Sequence, residues 1–133
     1  MIYPYINFNG NTRAAIDFYA SVFDIEDPEV MTYGEDPNVP EVMKDWIMHA
    51  QLMINGTGVM FSDAMVNDPV SLGNNVTLMI VHEDPEVLTS WFNRLSEGAT
   101  IWQPLQKTFF SPLYGSLQDE FGLVWQFNCE PKE

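Results

Sequence analysis

The 133-residue chain is 46% apolar and 14% aromatic, enough to bury the core of one domain and too hydrophobic for a disordered tail. Five Lys or Arg stand against nineteen Asp or Glu, a formal charge of −14 that repels phosphate backbones and anionic lipid, so nucleic acid and membrane are excluded as expected partners. A single cysteine, Cys129, leaves no disulfide framework or Cys-rich zinc site, no apolar run approaches the ~18 residues that cross a bilayer, and no basic leader opens the chain, which gives the expectation of a cytoplasmic protein.

In chain order, Ile2 to Phe8 is rich in β-branched and aromatic residues and predicts a strand, closed by the turn Asn9-Gly10-Asn11. A helix follows, capped by Asn11 or Thr12, with Ala15, Ile16, Tyr19, Val22 and Phe23 as its apolar stripe and Arg13 and Asp17 on the wet side. Glu29 to Tyr33 predicts a short strand, and Gly34 to Asp45 one long loop. Trp46 to Ile54 and Val59 to Ser62 read as strands joined by Asn55-Gly56-Thr57-Gly58, because Asn-Gly tolerates the positive φ of tight hairpins. A connector, 64–74, has turn residues and no period.

The second half opens with the strand Asn75 to Val81. His82-Glu83-Asp84-Pro85 places a capping acid before an N1 proline, a context in which His82 serves capping rather than catalysis. Val87, Leu88, Trp91, Phe92 and Leu95 form the second helical stripe, which Glu97-Gly98 stops. Thr100 to Trp102 predicts a short strand and Lys107 to Pro112 an irregular extended piece; Tyr114 to Gln118 then pairs with Leu123 to Asn128 across Asp119-Glu120-Phe121-Gly122.

Both halves therefore read strand, helix, strand, strand, strand, as modules of about 1–63 and 75–129 within a single domain 1–133. Aligning Ile6 with Ile80 and Gly58 with Gly122 makes Met60 and Ser62 the counterparts of Val124 and Gln126, the longer first loop absorbing the difference. Two curved half-sheets of this kind can enclose a cavity that neither closes alone. On the last strand, Leu123, Trp125 and Phe127 are expected to meet the helix, turning Val124, Gln126 and Asn128 to the other face.

The residues Tyr5-Ile-Asn-Phe-Asn-Gly-Asn11, Ala15-Ile-Asp-Phe-Tyr19, His49 with Leu52, Ser62-Asp63, Glu97-Gly98-Ala99 with Pro104-Leu105, and Tyr114-Gly115 with Asp119-x-Phe-Gly-x-x-Trp125 carry a resemblance. Over nearly the whole chain, the pattern resembles the PhnB-like branch of the glyoxalase, bleomycin-resistance and extradiol-dioxygenase superfamily, also called the vicinal oxygen chelate superfamily. The resemblance implies an α+β fold in which two βαβββ modules form a curved mixed-sheet trough, commonly completed in a homodimer. In metal-using members it implies four ligands, a His or similar on the first strand of each module and a Glu on the last.

Carried over by position, those ligands fall at Pro4, at Leu78 (or Val76 with a two-residue gap), at Ser62 and at Gln126. Two of the four lack a donor and the others are neutral, so no metal and no other cofactor are expected. A rearranged divalent site of His49 with Gln126 is the alternative. The branch also carries a methyltransferase label, but no glycine-rich turn between strand and helix would cradle an adenosyl cofactor.

The favoured expectation is a small molecule bound in the trough without metal, against Gln126, Ser62 and His49, with Tyr3, Tyr5, Met53 and Trp102 lining it. The same residue types also serve as plain core. The alternatives are a divalent-metal-dependent lyase, isomerase or dioxygenase of the glyoxalase type, and a structural or regulatory dimer that uses the acidic surface and the loop Gly34 to Asp45.

Overall fold

The computed structural model describes residues 1–132. It divides into two compact units, Met1–Ser71 and a second beginning at Leu72. The first holds β1 (Tyr5–Phe8), α1 (Thr12–Val22), β2 (Glu29–Thr32), a 3₁₀ turn (Glu41–Met43), β3 (Ile47–Ile54) and β4 (Thr57–Asp63). The second holds β5 (Leu78–His82), α2 (Pro85–Leu95), β6 (Thr100–Gln106), β7 (Tyr114–Gln118) and β8 (Val124–Cys129). Each unit is a βαβββ module whose four strands form one mixed sheet, ordered β1-β4-β3-β2 and β5-β8-β7-β6. The fold is thus α+β, and no helix among the described residues is long and apolar enough to cross a membrane.

In the first unit, the expected stripe of α1 is the buried one, and Tyr19 stacks on Phe61 of β4 with ring centroids 5.7 Å apart. Phe8 lies parallel to the same Phe61 at 6.5 Å, so one aromatic ring ties β1, α1 and β4 together. In the second unit, Phe92 of α2 meets Phe127 of β8 edge-on at 5.3 Å, above Leu88, Leu95, Leu117 and Trp125. The bulky residues of β8 therefore do face the helix, with Trp125 and Phe127 essentially buried.

The N-terminus of α1 differs from the sequence expectation. Asn11 occupies the cap position but makes no side-chain cap bond, and Thr12 is already helical. The orphan amides are taken instead by Asp63 at the far end of β4, whose Oδ1 accepts from Gly10 N (2.8 Å), Thr12 N (3.1 Å) and Thr12 Oγ1 (2.6 Å). Its Oδ2 accepts from Ile47 N at 2.9 Å, and its backbone carbonyl accepts from Tyr33 Oη at 2.8 Å. This carboxylate is only 1% exposed, and its donors come from the β1–α1 turn and from the start of β3. A local cap could not have joined those elements.

The second unit caps its helix locally: Asp84 accepts from Glu86 N at 2.9 Å, with Pro85 following as foreseen. His82 Nδ1 accepts from Asp84 N at 2.9 Å, and the ring stands edge-on to Trp91 at 5.3 Å, a supporting role at the helix entrance. The turn before β8 is held by Asp119. Its Oδ1 accepts from Phe121 N (2.8 Å) and Leu123 N (3.1 Å), and its Oδ2 from Trp125 Nε1 (2.8 Å).

The strand ladders correct the alignment of the two halves. Ile6 pairs with Phe61 and Ile80 with Phe127, while the positive-φ glycine closing each hairpin is Gly56 (φ 85°) in one and Gly122 (φ 98°) in the other. Gly122 thus corresponds to Gly56 rather than Gly58, Gln126 to Met60, and Asn128 to Ser62. The first hairpin closes in the two residues Asn55-Gly56, whereas the second needs the longer Asp119-clamped turn, which displaces the register. Because the slip is even, every side chain keeps its face.

Other departures have local causes. β1 starts at Tyr5 rather than Ile2, leaving Met1 and Ile2 fully exposed. β6 runs on to Gln106 with two register shifts, and as an edge strand it tolerates Pro104. The loop Gly34 to Asp45 contains the 3₁₀ turn, anchored by the fully buried Met43.

Asp63→Ala strands several buried donors at once and is expected to lower unfolding free energy in urea by at least about 3 kcal/mol; a loss under about 1 kcal/mol would contradict the clamp. Asp63→Asn keeps one acceptor oxygen but sets an N–H against Ile47 N, and should fall between it and the wild type. Burial first, then the charge of Asp63, raises the pKa of Tyr33 above the ordinary tyrosine value. The folded state therefore holds this proton more tightly than the unfolded chain, so the contribution is complete below pH ~10 and is lost as pH rises through the raised value. Tyr33→Phe is expected to remove that component of the alkaline stability loss, measured as Tm against pH from 8 to 12.

Candidate binding site on the open sheet face

Strand alternation gives each sheet one face toward its helix and one open face. In the second unit, the open face of β8 carries Gln126, which lies across the ladder from Ser116 of β7 and Met79 of β5. Gln126 is held from both sides: Tyr114 Oη donates to its Oε1 at 2.6 Å, and its Nε2 donates to Thr77 Oγ1 at 2.8 Å. Around it lies a concavity of about 310 Å³ lined by Thr77, Trp102, Gln103, Tyr114, Ser116, Val124 and Gln126. The lining is wholly uncharged, and Trp102 keeps 44% of its surface exposed. Tyr114 is backed by the ring of Phe110 at 5.1 Å, which fixes the phenol that orients the amide.

In the first unit, the open face carries Tyr5 and His49, whose Oη and Nδ1 share a hydrogen bond of 3.1 Å. Met31 of β2 pairs with His49 across the ladder. Ser62 Oγ donates to Asn7 Oδ1 at 2.7 Å. Tyr3 and Met53 line a separate, larger concavity of about 520 Å³ with Met1, Ile2, Gln51 and Gly56-Thr57-Gly58. In the second unit, Val81 and Asn128 stand where the first has Asn7 and Ser62, and there Asn128 Oδ1 is buried without a partner.

Of the residues read from sequence, Gln126 and Trp102 share one concavity, Tyr3 and Met53 share another, and Tyr5 pairs with His49. Thr77, Gln103, Tyr114 and Ser116 were missed. Tyr114 and Ser116 were legible as the alternate residues of a strand predicted to pair with β8. Thr77 needed the parallel β5–β8 pairing, and Gln103 lies between the two register shifts of β6, which no periodicity announces.

The positions that would carry a metal do not fit one. Pro4 offers only a backbone carbonyl, already accepting from Met60 N at 3.0 Å, and Leu78 and Val76 are apolar. Ser62 offers a neutral hydroxyl that donates to Asn7, Gln126 a neutral amide oxygen that already accepts from Tyr114, and His49 a single imidazole whose Nδ1 is bonded to Tyr5, a set without an anionic ligand. Among the described residues, no three His, Cys, Asp or Glu side chains gather in a metal-binding group.

Residues 1–128 match the sequence model of a family described as 3-demethylubiquinone-9 3-methyltransferase. The chain is 31% identical to protein YjdN of Escherichia coli (strain K12), over 94% of this chain and 92% of that one. Protein PA1353 from Pseudomonas aeruginosa has the same fold with a TM-score of 0.88 at 32% identity, covering 99% of this chain and 98% of that one. A PhnB protein from Bacillus cereus follows with a TM-score of 0.78 at 28% identity, over 97% and 98% of the two chains. At 16% identity, a glyoxalase/bleomycin resistance protein/dioxygenase family enzyme from Burkholderia phytofirmans PsJN shares the fold alone, with a TM-score of 0.62 over 94% and 95%.

The Gln126 clamp is open to a double-mutant cycle. Tyr114→Phe and Thr77→Val are each expected to cost about 1 kcal/mol in urea denaturation, and together less than the sum, because the first loss already frees the amide to turn. Strict additivity would show that the two hydroxyls do not act on one amide.

Proposed function

The chain belongs to the PhnB-like family of the glyoxalase, bleomycin-resistance and dioxygenase superfamily, and for this member we propose a metal-free role: binding an uncharged, partly aromatic small molecule on the open face of its sheets. The observation that carries this reading is the concavity around Gln126, where a fixed amide, three hydroxyls and an exposed indole converge without a charged side chain. A volume of about 310 Å³ suits a fragment- to drug-sized ligand, which the placed hydroxyls and amides would orient while Trp102 and Val124 supply apolar contact.

The family description names a methyl transfer, and the residues here do not fit an adenosyl cofactor's cradle. Ahead of α1, the amides of Gly10 and Thr12 are taken by Asp63; at α2, Glu86 N is taken by Asp84 and Pro85 has no N–H to give. The first amides at each helix entrance are thus committed to the protein's own carboxylates.

The same reading places the protein in the cytoplasm, where the buried Cys129 thiol stays reduced, and as a homodimer. In support of the dimer, the open faces expose Met31, Met53, Met79 and Val81, apolar surface that a second copy would cover.

Thermal-shift and calorimetric titration with indole and related uncharged aromatics is expected to raise Tm and give saturable binding that Trp102→Ala weakens about ten-fold or more. Zn²⁺, Ni²⁺ or Mn²⁺ should leave both Tm and affinity unchanged; a metal-dependent rise of several degrees would overturn the metal-free assignment.

A further inference from the structure

The clamp on Gln126 goes further and selects a kind of ligand, an inference that rests on the binding reading above. A glutamine amide has two N–H donors and a carbonyl with two lone pairs. Tyr114 uses one lone pair and Thr77 accepts one N–H, so one acceptor and one donor remain. Tyr114 sits on β7 and Thr77 just ahead of β5, the strands that flank β8 on opposite sides. The two hydroxyls therefore engage opposite ends of the amide, the oxygen from the β7 side and the nitrogen from the β5 side, and hydroxyls approaching from those outer sides leave a lone pair and an N–H side by side on the edge between them.

From this arrangement, the geometry points to a ligand that is planar, uncharged and carries an adjacent N–H and C=O, a lactam or imide edge. Such an edge answers the free donor and acceptor of Gln126 at once, while its ring lies against the exposed indole of Trp102. The uncharged wall contributes to the selection, since an ionised ligand would leave water for a lining with no counter-charge. A carboxylate ligand is further disfavoured by the −14 charge of the chain. A compound of the same shape lacking the N–H would leave the second lone pair of the Gln126 oxygen, which still accepts from Tyr114, covered without a donor, and hydrogen-bonding sites discriminate against such a loss.

Calorimetric titration of the wild-type protein with 2-quinolone and with N-methyl-2-quinolone, at equal ionic strength, tests the assignment. The expected result is 2-quinolone binding at least about ten-fold more tightly than its N-methyl derivative. Gln126→Leu should abolish that ratio while the circular dichroism spectrum is retained. Should that variant fail to fold, Tyr114→Phe, which releases one end of the amide, is expected to shrink the ratio several-fold. Equal affinity of the two compounds for the wild type would overturn the lactam assignment and leave the binding reading standing; no saturable binding of either, nor of indole, would overturn both.

Discussion

One buried carboxylate holds the first half of this protein in register. Asp63 ends β4, yet its two oxygens accept from the turn ahead of α1, from the first helical residue and from the start of β3. A charge removed from water is tolerated only when its lone pairs are filled, and here they are filled by groups distant in sequence that must stay together. The parallel β1–β4 pairing, the direction in which α1 leaves the sheet, and the aromatic contact of Phe8 and Tyr19 on Phe61 are all compatible with that one clamp. The second half caps its helix locally with Asp84 and uses a separate carboxylate, Asp119, to bind its own turn and the indole of Trp125. The spacing Asp119-x-Phe-Gly-x-x-Trp125 thereby acquires a physical meaning: two amides and an indole N–H at the distances one carboxylate can reach.

The two modules share a plan but not a chemistry. Their helix-facing sides repeat closely, Phe61 and Phe127 each lying under an aromatic residue of the helix. The open faces have diverged: Met60 in one ladder position answers to Gln126 in the other, and the Asn7–Ser62 pair answers to Val81 and Asn128. Core positions are constrained by packing on both sides, whereas an open face can be rewritten one side chain at a time without disturbing the sheet. The uncharged, hydroxyl- and amide-rich lining around Gln126 is the outcome of that freedom in the second module.

Much of this was legible beforehand. The helical stripes of Ala15, Ile16, Tyr19 and of Leu88, Phe92, Leu95, the Asn55-Gly56 turn, and the inward side of β8 all follow from periodicity and turn chemistry, because each is decided by neighbours within a few residues. The misreadings share a different origin. Asn11 and Thr12 were the obvious caps, but a distant Asp63 supplied a better acceptor; Gly58 was aligned with Gly122 because hairpin length, and hence register, is set by how each turn closes in three dimensions.

For the site, the sequence by itself determined that Gln126 shares an uncharged face of a β-strand with Val124 and Asn128, since identity and strand parity need nothing more. Only the tertiary structure decided what Gln126 can do. Thr77 and Tyr114 are 49 and 12 residues away from it in the chain, and a parallel and an antiparallel pairing bring them to its two ends. Hydrogen-bond direction is a property of that assembled arrangement, and no single strand's sequence contains it.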